Sequence, residues 1–538
     1  MIPIVQNIIS HDPNLEKRSR HDLSRRQSGD IRALIISPTR ELAEQIATEA
    51  RKLTKNTNIL VQTAVGGTHK REGLQRIQTG CHILVGTPGR LKDILSDHYS
   101  RVEAPNLSIL VLDEADRLLE AGFEEEIREI QQHLPDKRQV DRQTLLFSAT
   151  ISREILPVVR ATMKKDFKLV RTVQEGEQPT HERVSQRVVN VRHLENQMPA
   201  LIELCLREIQ ASTAERPFKA IIFFPTLNEV SFAAESMSRF RPSRNTEASD
   251  VGFPLTTGVY ELHSRLSQAQ RTQAADAFRR AESAILLSSD VAARGMDFPG
   301  VTHVIQIGLP PNEEQYIHRI GRTARAGKEG EAWLILSDAQ NREVRHRLRQ
   351  MPLKADKSLE ASTLNLRSAT ADIQSDIPQS LTSIISKFKE CVARVPQEIR
   401  EGVYVGTFGL HQFMSNKRDL VAAANARAVH GLGLAEPPSI FQNTALKFGV
   451  LGLPGVQISE APRRRPYEND DPRSRQGFSR GSRFDNSYSG RDQRDTRGRS
   501  SFQTEDRGRR TPRYDRSGSA GYDGHSFQQR REPRRLPF

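Results

Sequence analysis

The chain has 538 residues, of which 36% are hydrophobic, and carries a formal net charge of +14 with a pI near 9.8. That length holds about three to four domains, the low hydrophobic fraction implies that part of the chain does not fold, and the positive balance favours a polyanionic partner. No apolar run approaches the ~20 residues needed to span a bilayer, so no membrane partner is expected; Cys81, Cys205 and Cys391 are scattered without metal-ligand spacing, which implies a reducing compartment and no structural zinc.

Met1–Ile9 has neither the charged start of a signal peptide nor the Arg/Ser-rich pattern of an organelle presequence. It reads as the inside of an amphipathic helix without a cap. A polar, basic connection over Asp12–Asp30 leads to a strand, Ala33–Ile36, which Pro38 stops. Leu42, Ile46, Ala50 and Leu53 then recur at helical spacing. A strand, a polar turn and a helix N-terminus make an anion site, at which Thr39 and the backbone around it would bind a phosphate. The same arrangement returns at Ile59–Val65 followed by Gly66-Gly67, and at Ile83–Val85 followed by Gly86-Thr87-Pro88-Gly89-Arg90. Singly, each turn is ordinary α/β punctuation; three on one sheet edge form a track.

Leu110-Val111-Leu112-Asp113-Glu114-Ala115-Asp116 reads as a buried parallel strand that delivers carboxylates to its C-terminal edge, where open α/β sheets hold ligands. One carboxylate there can hold Mg²⁺ through the metal's waters, and a second can orient or deprotonate a water. A solvated acidic helix start is the plainer alternative. The next strand, Gln143–Phe147, runs into Ser148-Ala149-Thr150, whose hydroxyls would reach the acids across adjacent strand ends.

A helical stretch at Pro199–Ile209 opens a second alternation of strands and helices through Ala220–Phe224, Val259–Leu262, Ala284–Leu287, His303–Gln306 and Ala332–Leu336, which predicts a second parallel sheet. Arg241–Thr257 reads as a polar surface loop. Ser288–Asp297 follows a strand, and Arg319, Arg322 and Arg325 stand three apart, which predicts one guanidinium-bearing helical face opposite an anion. Further on, Leu381, Ile384, Ile385, Phe388 and Val392 form an apolar helical stripe expected in a core. From Arg463 onward there are 20 Arg, no Lys and 11 acids, so this segment supplies +9 of the +14. Phe478, Phe484, Tyr488, Phe502, Tyr514, Tyr522 and Phe527 are scattered through it without periodicity, which predicts a disordered arm that holds RNA by phosphate pairing and base stacking.

In order and on two domains, Pro38–Ala43, Gly66-Gly67, Thr87–Arg90, Asp113–Asp116, Ser148–Thr150, Ile222–Phe224, Gln268 with Arg271, Asp290–Asp297 and His318–Arg325 resemble the motifs of DEAD-box RNA helicases. The resemblance implies an α/β fold with two RecA-like parallel-sheet domains in tandem, the first incomplete, at 1–175 and 180–350. A helical extension over 365–460 resembles that of fungal mitochondrial RNA chaperones of this family, on Leu432-Gly433-Leu434, Pro437-Pro438 and the helical region before them, and the disordered Arg-rich tail occupies 461–538. It further implies ATP and Mg²⁺ as cofactors, single-stranded and structured RNA rather than DNA as partner, local unwinding as activity, and a mitochondrial matrix location.

Residue by residue, the resemblance makes Asp113 the acid on the metal's water shell and Glu114 the activator of the attacking water, with Asp297 on the ribose and Arg322 and Arg325 as arginine fingers. Asp116, Ser148, Thr150, His318 and Arg319 would couple nucleotide to strand separation. RNA contacts would fall to Thr39, Arg40, Gly67, Thr87, Gly89, Arg90, Gln268, Arg271 and Ser289, the last standing where the family usually has Thr. Members of the family carry, before the region that begins here, an adenine-reading glutamine motif and a G-x-x-x-x-G-K-[ST] phosphate loop. Neither is found within these residues, whose one Gly-Lys pair, Gly327-Lys328, lacks the rest of that pattern. The expectation is therefore an ATP-dependent RNA helicase whose N-terminal portion is missing from the sequence. The alternative is a non-hydrolysing RNA-binding protein that uses the phosphate track and the basic tail.

Overall fold

Four- and five-residue aliphatic runs, each followed by a polar turn and an amphipathic helix, can bury both faces only as inner strands of a parallel sheet. In the computed structural model they do so twice. It describes residues 1–17, 30–67, 69–120, 122–136, 141–148, 156–171, 184–242, 251–292, 296–325, 328–367 and 378–459. The first sheet holds β1 (Ala33–Ile36), β2 (Val61–Ala64), β3 (Ile83–Gly86), β4 (Ile109–Leu112) and β5 (Gln143–Leu146), in the order β2-β3-β1-β4-β5. All pairs are parallel, so the turns after β2, β3 and β1 stand side by side on one edge, next to the acids after β4.

Strand alternation sorts the core into two layers. Leu34, Ile36, Leu84, Leu110 and Leu112 pack on one face, and Ala33, Ile35, Ile83, Val85, Ile109 and Val111 on the other. The second layer also takes Ile4 and Ile8 from the helix Ile2–His11, whose N-cap, Met1, makes no side-chain capping bond. This is the uncapped amphipathic helix that the sequence pattern implies. One stripe position departs from expectation: Leu53 ends its helix 49% exposed, because the buried face runs through Ala43, Ala47, Ala50 and on to Thr54, one position past it.

The second sheet has seven strands: β6 (Val184–Val191), β7 (Lys219–Phe223), β8 (Gly258–Leu262), β9 (Ala284–Ser288), β10 (His303–Ile307), β11 (Gly330–Ser337) and β12 (Lys354–Asp356). Their order is β12-β6-β11-β10-β7-β9-β8. Residues 241–257 are not all surface loop: Phe253 is fully buried, its ring 5.4 Å from that of Phe240. The core on one face of this sheet continues without a break into the C-terminal helices Gln379–Ala393, Gln397–Leu410 and Lys417–Ala426, through Leu381, Phe388, Tyr404, Phe408 and Leu420. Among the described residues, no helix is long and apolar enough to cross a membrane. The Arg-rich tail expected over 461–538 lies outside the described residues.

Candidate active site

On the first sheet, β4 is fully buried to Leu112, and the chain then turns sharply to start the helix Ala115–Glu120. Asp113 is half-buried; its N–H donates to the Ile36 carbonyl and its Oδ1 accepts the Glu114 N–H at 3.1 Å. Glu114 has φ +48°, a left-handed conformation worth about 1–3 kcal/mol of strain in a non-glycine residue and found preferentially at functional sites. The neighbouring strand holds it in place, since the Ala115 N–H donates to the Phe147 carbonyl at 2.9 Å. Asp116 is 5% exposed and accepts the Arg117 N–H at 3.0 Å. Burial, reinforced by the charge of Asp116, pushes the Asp113 carboxyl above the usual carboxylate range, although the Glu114 N–H opposes it. Such an acid pair gains most from a cation.

Along the same edge, Thr39 caps its helix, its Oγ1 accepting the Leu42 N–H at 3.3 Å. Arg40 lies against two glycines. A Cβ built on Gly67 would meet Arg40 Nη1 at 2.3 Å, and one on Gly66 would meet Nη2 at 2.9 Å, so only glycine lets the guanidinium lie there. Thr87 is the N-cap of Pro88–Leu95, Gly89 faces open space, and Arg90 Nε is 3.8 Å from Asp93. The three turns stand side by side on this edge, as the strand order requires.

On the second sheet the three arginines do not share one helical face. The helix Glu313–Ile320 stops at Gly321, because the N–H groups of Arg322 and Thr323 close tight turns onto Arg319 and Ile320 and Ala324 turns left-handed. Arg319 is therefore buried in the helix, where its Nε and Nη2 meet Asp290 Oδ1 at 2.8 and 2.7 Å and its Nη1 donates to Gln306. Arg322 and Arg325 emerge beyond the helix end. Arg322 Nη1 donates to the Met296 carbonyl at 2.8 Å, and Arg325 Nη1 pairs with Asp297 Oδ1 at 2.6 Å. Ser289 is half-buried just past β9.

Among the described residues, side-chain contacts join the two edges at several points. Glu41 accepts from Gln268 Nε2 at 3.2 Å and pairs with Arg271 Nη2 at 2.7 Å; Gln45 Oε1 accepts the Asp297 N–H at 2.9 Å; His318 Nε2 is 3.7 Å from Asp116 Oδ2 and 3.5 Å from Glu314. Gln268 and Arg271, expected on RNA, are thus spent on Glu41 in this arrangement. Ser148 sits half-buried directly after β5, and Thr150 lies outside the described residues. Sequence reasoning missed Glu41, Gln45 and the role of Asp290 as the anchor of Arg319. An acid in the first turn of a helix reads as dipole compensation, and no local spacing marks Glu41 as the partner of residues more than two hundred positions away.

The chain matches the DEAD/DEAH box helicase family over residues 1–158 and the helicase conserved C-terminal domain over residues 197–327. It is 48% identical over 467 residues to the ATP-dependent RNA helicase mss116, mitochondrial, of Aspergillus fumigatus, covering 85% of this chain and 69% of that protein. It is 45% identical over 459 residues to the ATP-dependent RNA helicase cyt-19, mitochondrial, of Neurospora crassa, covering 84% and 70%. Among solved structures, Mss116p (NTE and C-tail double deletion) bound to ssRNA and AMP-PNP superposes with a TM-score of 0.65 at 26% identity, over 86% of this chain and 85% of that one.

Proposed function

This chain belongs to the DEAD-box family of RNA helicases, and from that premise we propose that it binds and remodels RNA in mitochondria, with ATP and Mg²⁺ held between the two sheets. The observation that carries the reading is the meeting of the two edges: His318 against Asp116, Asp297 against Gln45, and Arg271 against Glu41. Bound there, Mg²⁺·ATP supplies the phosphoryl group whose charge is spread over the acids' metal and the arginines. The donor set fits it: half-buried acids on one side, two guanidinium groups within one turn on the other.

In this reading Asp113 would hold the metal and Glu114, fixed in its strained turn, would orient the attacking water. Arg322 and Arg325 meet the phosphates, and Asp297 meets the ribose. Asp116 with His318, Arg319 on Asp290, and Ser148 with Thr150 link closure to the RNA track of Thr39, Arg40, Gly67, Thr87, Gly89, Arg90, Gln268, Arg271 and Ser289. The Glu41 clamp supports Gln268 and Arg271 as residues that sense closure beside RNA contact. Aspergillus and Neurospora relatives that are mitochondrial by name support the location.

A second reading, RNA binding without turnover, draws on the phosphate track and on the +9 charge of the Arg-rich segment. RNA-stimulated phosphate release separates the two. Turnover that Glu114→Gln abolishes while RNA binding persists supports the helicase reading. Salt-sensitive RNA binding with no phosphate release at any RNA concentration overturns the hydrolytic part of it.

A further inference from the structure

At the N-terminal end of the second sheet, the opposite end from the nucleotide cleft, β10 and β11 run in parallel register with His303 beside Glu331. Register neighbours in a parallel pair point to the same face. The helix Gln197–Gln210 covers that face and brings Glu208 to the same point. His303 Nε2 lies 3.4 Å from Glu208 Oε2 and 3.9 Å from Glu331 Oε1.

The state of the imidazole follows from its other nitrogen. Thr302 Oγ1 accepts the Lys219 N–H at 3.0 Å and donates its hydrogen to the Lys219 carbonyl at 3.1 Å. With that hydrogen on the Lys219 carbonyl, the 2.8 Å contact between Thr302 Oγ1 and His303 Nδ1 suits the tautomer in which the ring nitrogen donates. In the neutral ring Nε2 then carries the lone pair, aimed between two carboxylates. The His303 side chain is 6% exposed, and Nε2 is buried without a hydrogen-bond partner. A lone pair facing two anions calls for a cation.

A proton on Nε2 fits that place poorly, since a charge-assisted bond to a carboxylate wants about 2.7–2.9 Å. A divalent ion fits better. Nitrogen and oxygen ligands at about 2.0–2.2 Å in a tetrahedron stand roughly 3.3–3.6 Å from one another, so the Glu208 separation already suits and Glu331 has only a few tenths of an ångström to close. The outer groups are those that orient metal ligands. Arg207 donates from Nε and Nη2 to Glu208 Oε1 at 3.1 and 3.0 Å, leaving Oε2 to the centre, while Thr302 fixes the ring. Arg216 pairs with Glu331 Oε1 at 3.3 Å from a half-exposed position and can swing aside at little cost.

We propose that Glu208, His303 and Glu331 form a binding site for a divalent transition-metal ion of the zinc class, separate from the nucleotide cleft. One imidazole and two carboxylates favour zinc, cobalt or nickel over magnesium and leave a position for water. The expectation of no structural zinc rested on the cysteines, and none takes part here.

The chain's single tryptophan reports on the site. Trp333 is two residues beyond Glu331 on β11, and Arg207, which holds Glu208, also lies over its ring at 5.2 Å. Co²⁺ titrated into the full-length protein is expected to quench Trp333 emission saturably, Zn²⁺ to displace it, and excess Mg²⁺ to leave the signal unchanged. Glu331→Gln and His303→Gln should abolish the saturable quenching, and Thr302→Val should weaken it about 10- to 100-fold. Glu314→Gln, in the other His–carboxylate trio among the described residues, should leave it intact. Absence of saturable quenching in the unaltered protein, or an unchanged midpoint in Glu331→Gln and His303→Gln, would overturn the site.

Discussion

The two α/β lobes are assembled from the same unit, yet they differ in how far each is closed. In the second, β7, β9 and β10 are buried throughout, and the layer on one face runs on into three C-terminal helices. In the first, β5 forms one edge of the sheet: Gln143 is exposed, Thr144–Leu146 are half-buried, and Phe147 is 55% exposed. The chemistry divides likewise. Arg319, Arg322 and Arg325 are each held by an acid or a carbonyl of their own lobe, whereas Asp113 is a half-buried carboxylate with a raised pKa. The charges of the second lobe are therefore met within that lobe, while burial holds the Asp113 carboxyl of the first above its ordinary range.

The sharpest way to break this contrast is to cut the bond between the second lobe and its helical extension. Arg427 Nη2 pairs with Glu229 Oε1 at 2.6 Å, the side chains are 8% and 5% exposed, and Nη1 donates to Thr407. Arg427→Ala strands a buried carboxylate, for which about 3–5 kcal/mol is expected. In denaturant the second sheet and the extension should lose that stability in one transition; an extension that melts first, leaving the sheet untouched, would show two bodies instead of one. Next in size is the contact between lobes. Arg271→Met removes the ion pair with Glu41, a contact between charged groups worth about 1.5–3 kcal/mol. It should shift the closed-to-open ratio roughly tenfold to a hundredfold, read as an interlobe fluorescence distance, without moving the unfolding of the second lobe. An unchanged distance would remove Glu41 as the clamp.

How much of this was legible follows from which interactions are local. Apart from β6 and the short edge strand β12, the strands of both sheets and the acid edge follow from apolar runs broken by Pro, Gly and Asp, because burial on both faces needs such runs. β6 escaped because Val184–Val191 interleaves Ser185, Gln186, Arg187 and Asn190 with valines, a pattern that only its partners β11 and β12 turn into an inner strand. The arginine face failed for a different reason: a spacing of three says nothing about where a helix ends, and Gly321 ends it between Arg319 and Arg322. Glu41 with Arg271, like Glu208 with His303, is a pairing that exists only once separate segments have folded together.

A smaller effect is expected from pH. The His411 Nδ1–H donates to the Thr407 carbonyl at 2.9 Å and Nε2 accepts from Gln340 at 3.0 Å, so the ring joins the extension to the second lobe in its neutral form. Burial holds its pKa below the ordinary value of about 6.5, while the Thr407 carbonyl opposes that shift only in part. The unfolded chain therefore takes up the proton first. This contribution is complete above about pH 6.5 and is lost as pH falls toward the folded value, at no more than about 1.4 kcal/mol per pH unit. Comparing acid titrations of the protein and His411→Gln isolates the contribution from those of His82 and His193, which burial also lowers. Identical titrations would mean that the ring does not hold the join.

The smallest change tests the open side of the first sheet. With 55% of Phe147 in solvent, Phe147→Ser removes little buried surface and leaves the carbonyl that accepts the Ala115 N–H in place. Thermal stability should move within about 0.5 kcal/mol, as for a surface position. A loss of several kcal/mol would mean that this ring is covered in solution, and the first lobe would then be as closed as the second. The backbone bond from Ala115 to Phe147 makes the experiment selective, because it does not use the side chain that is changed.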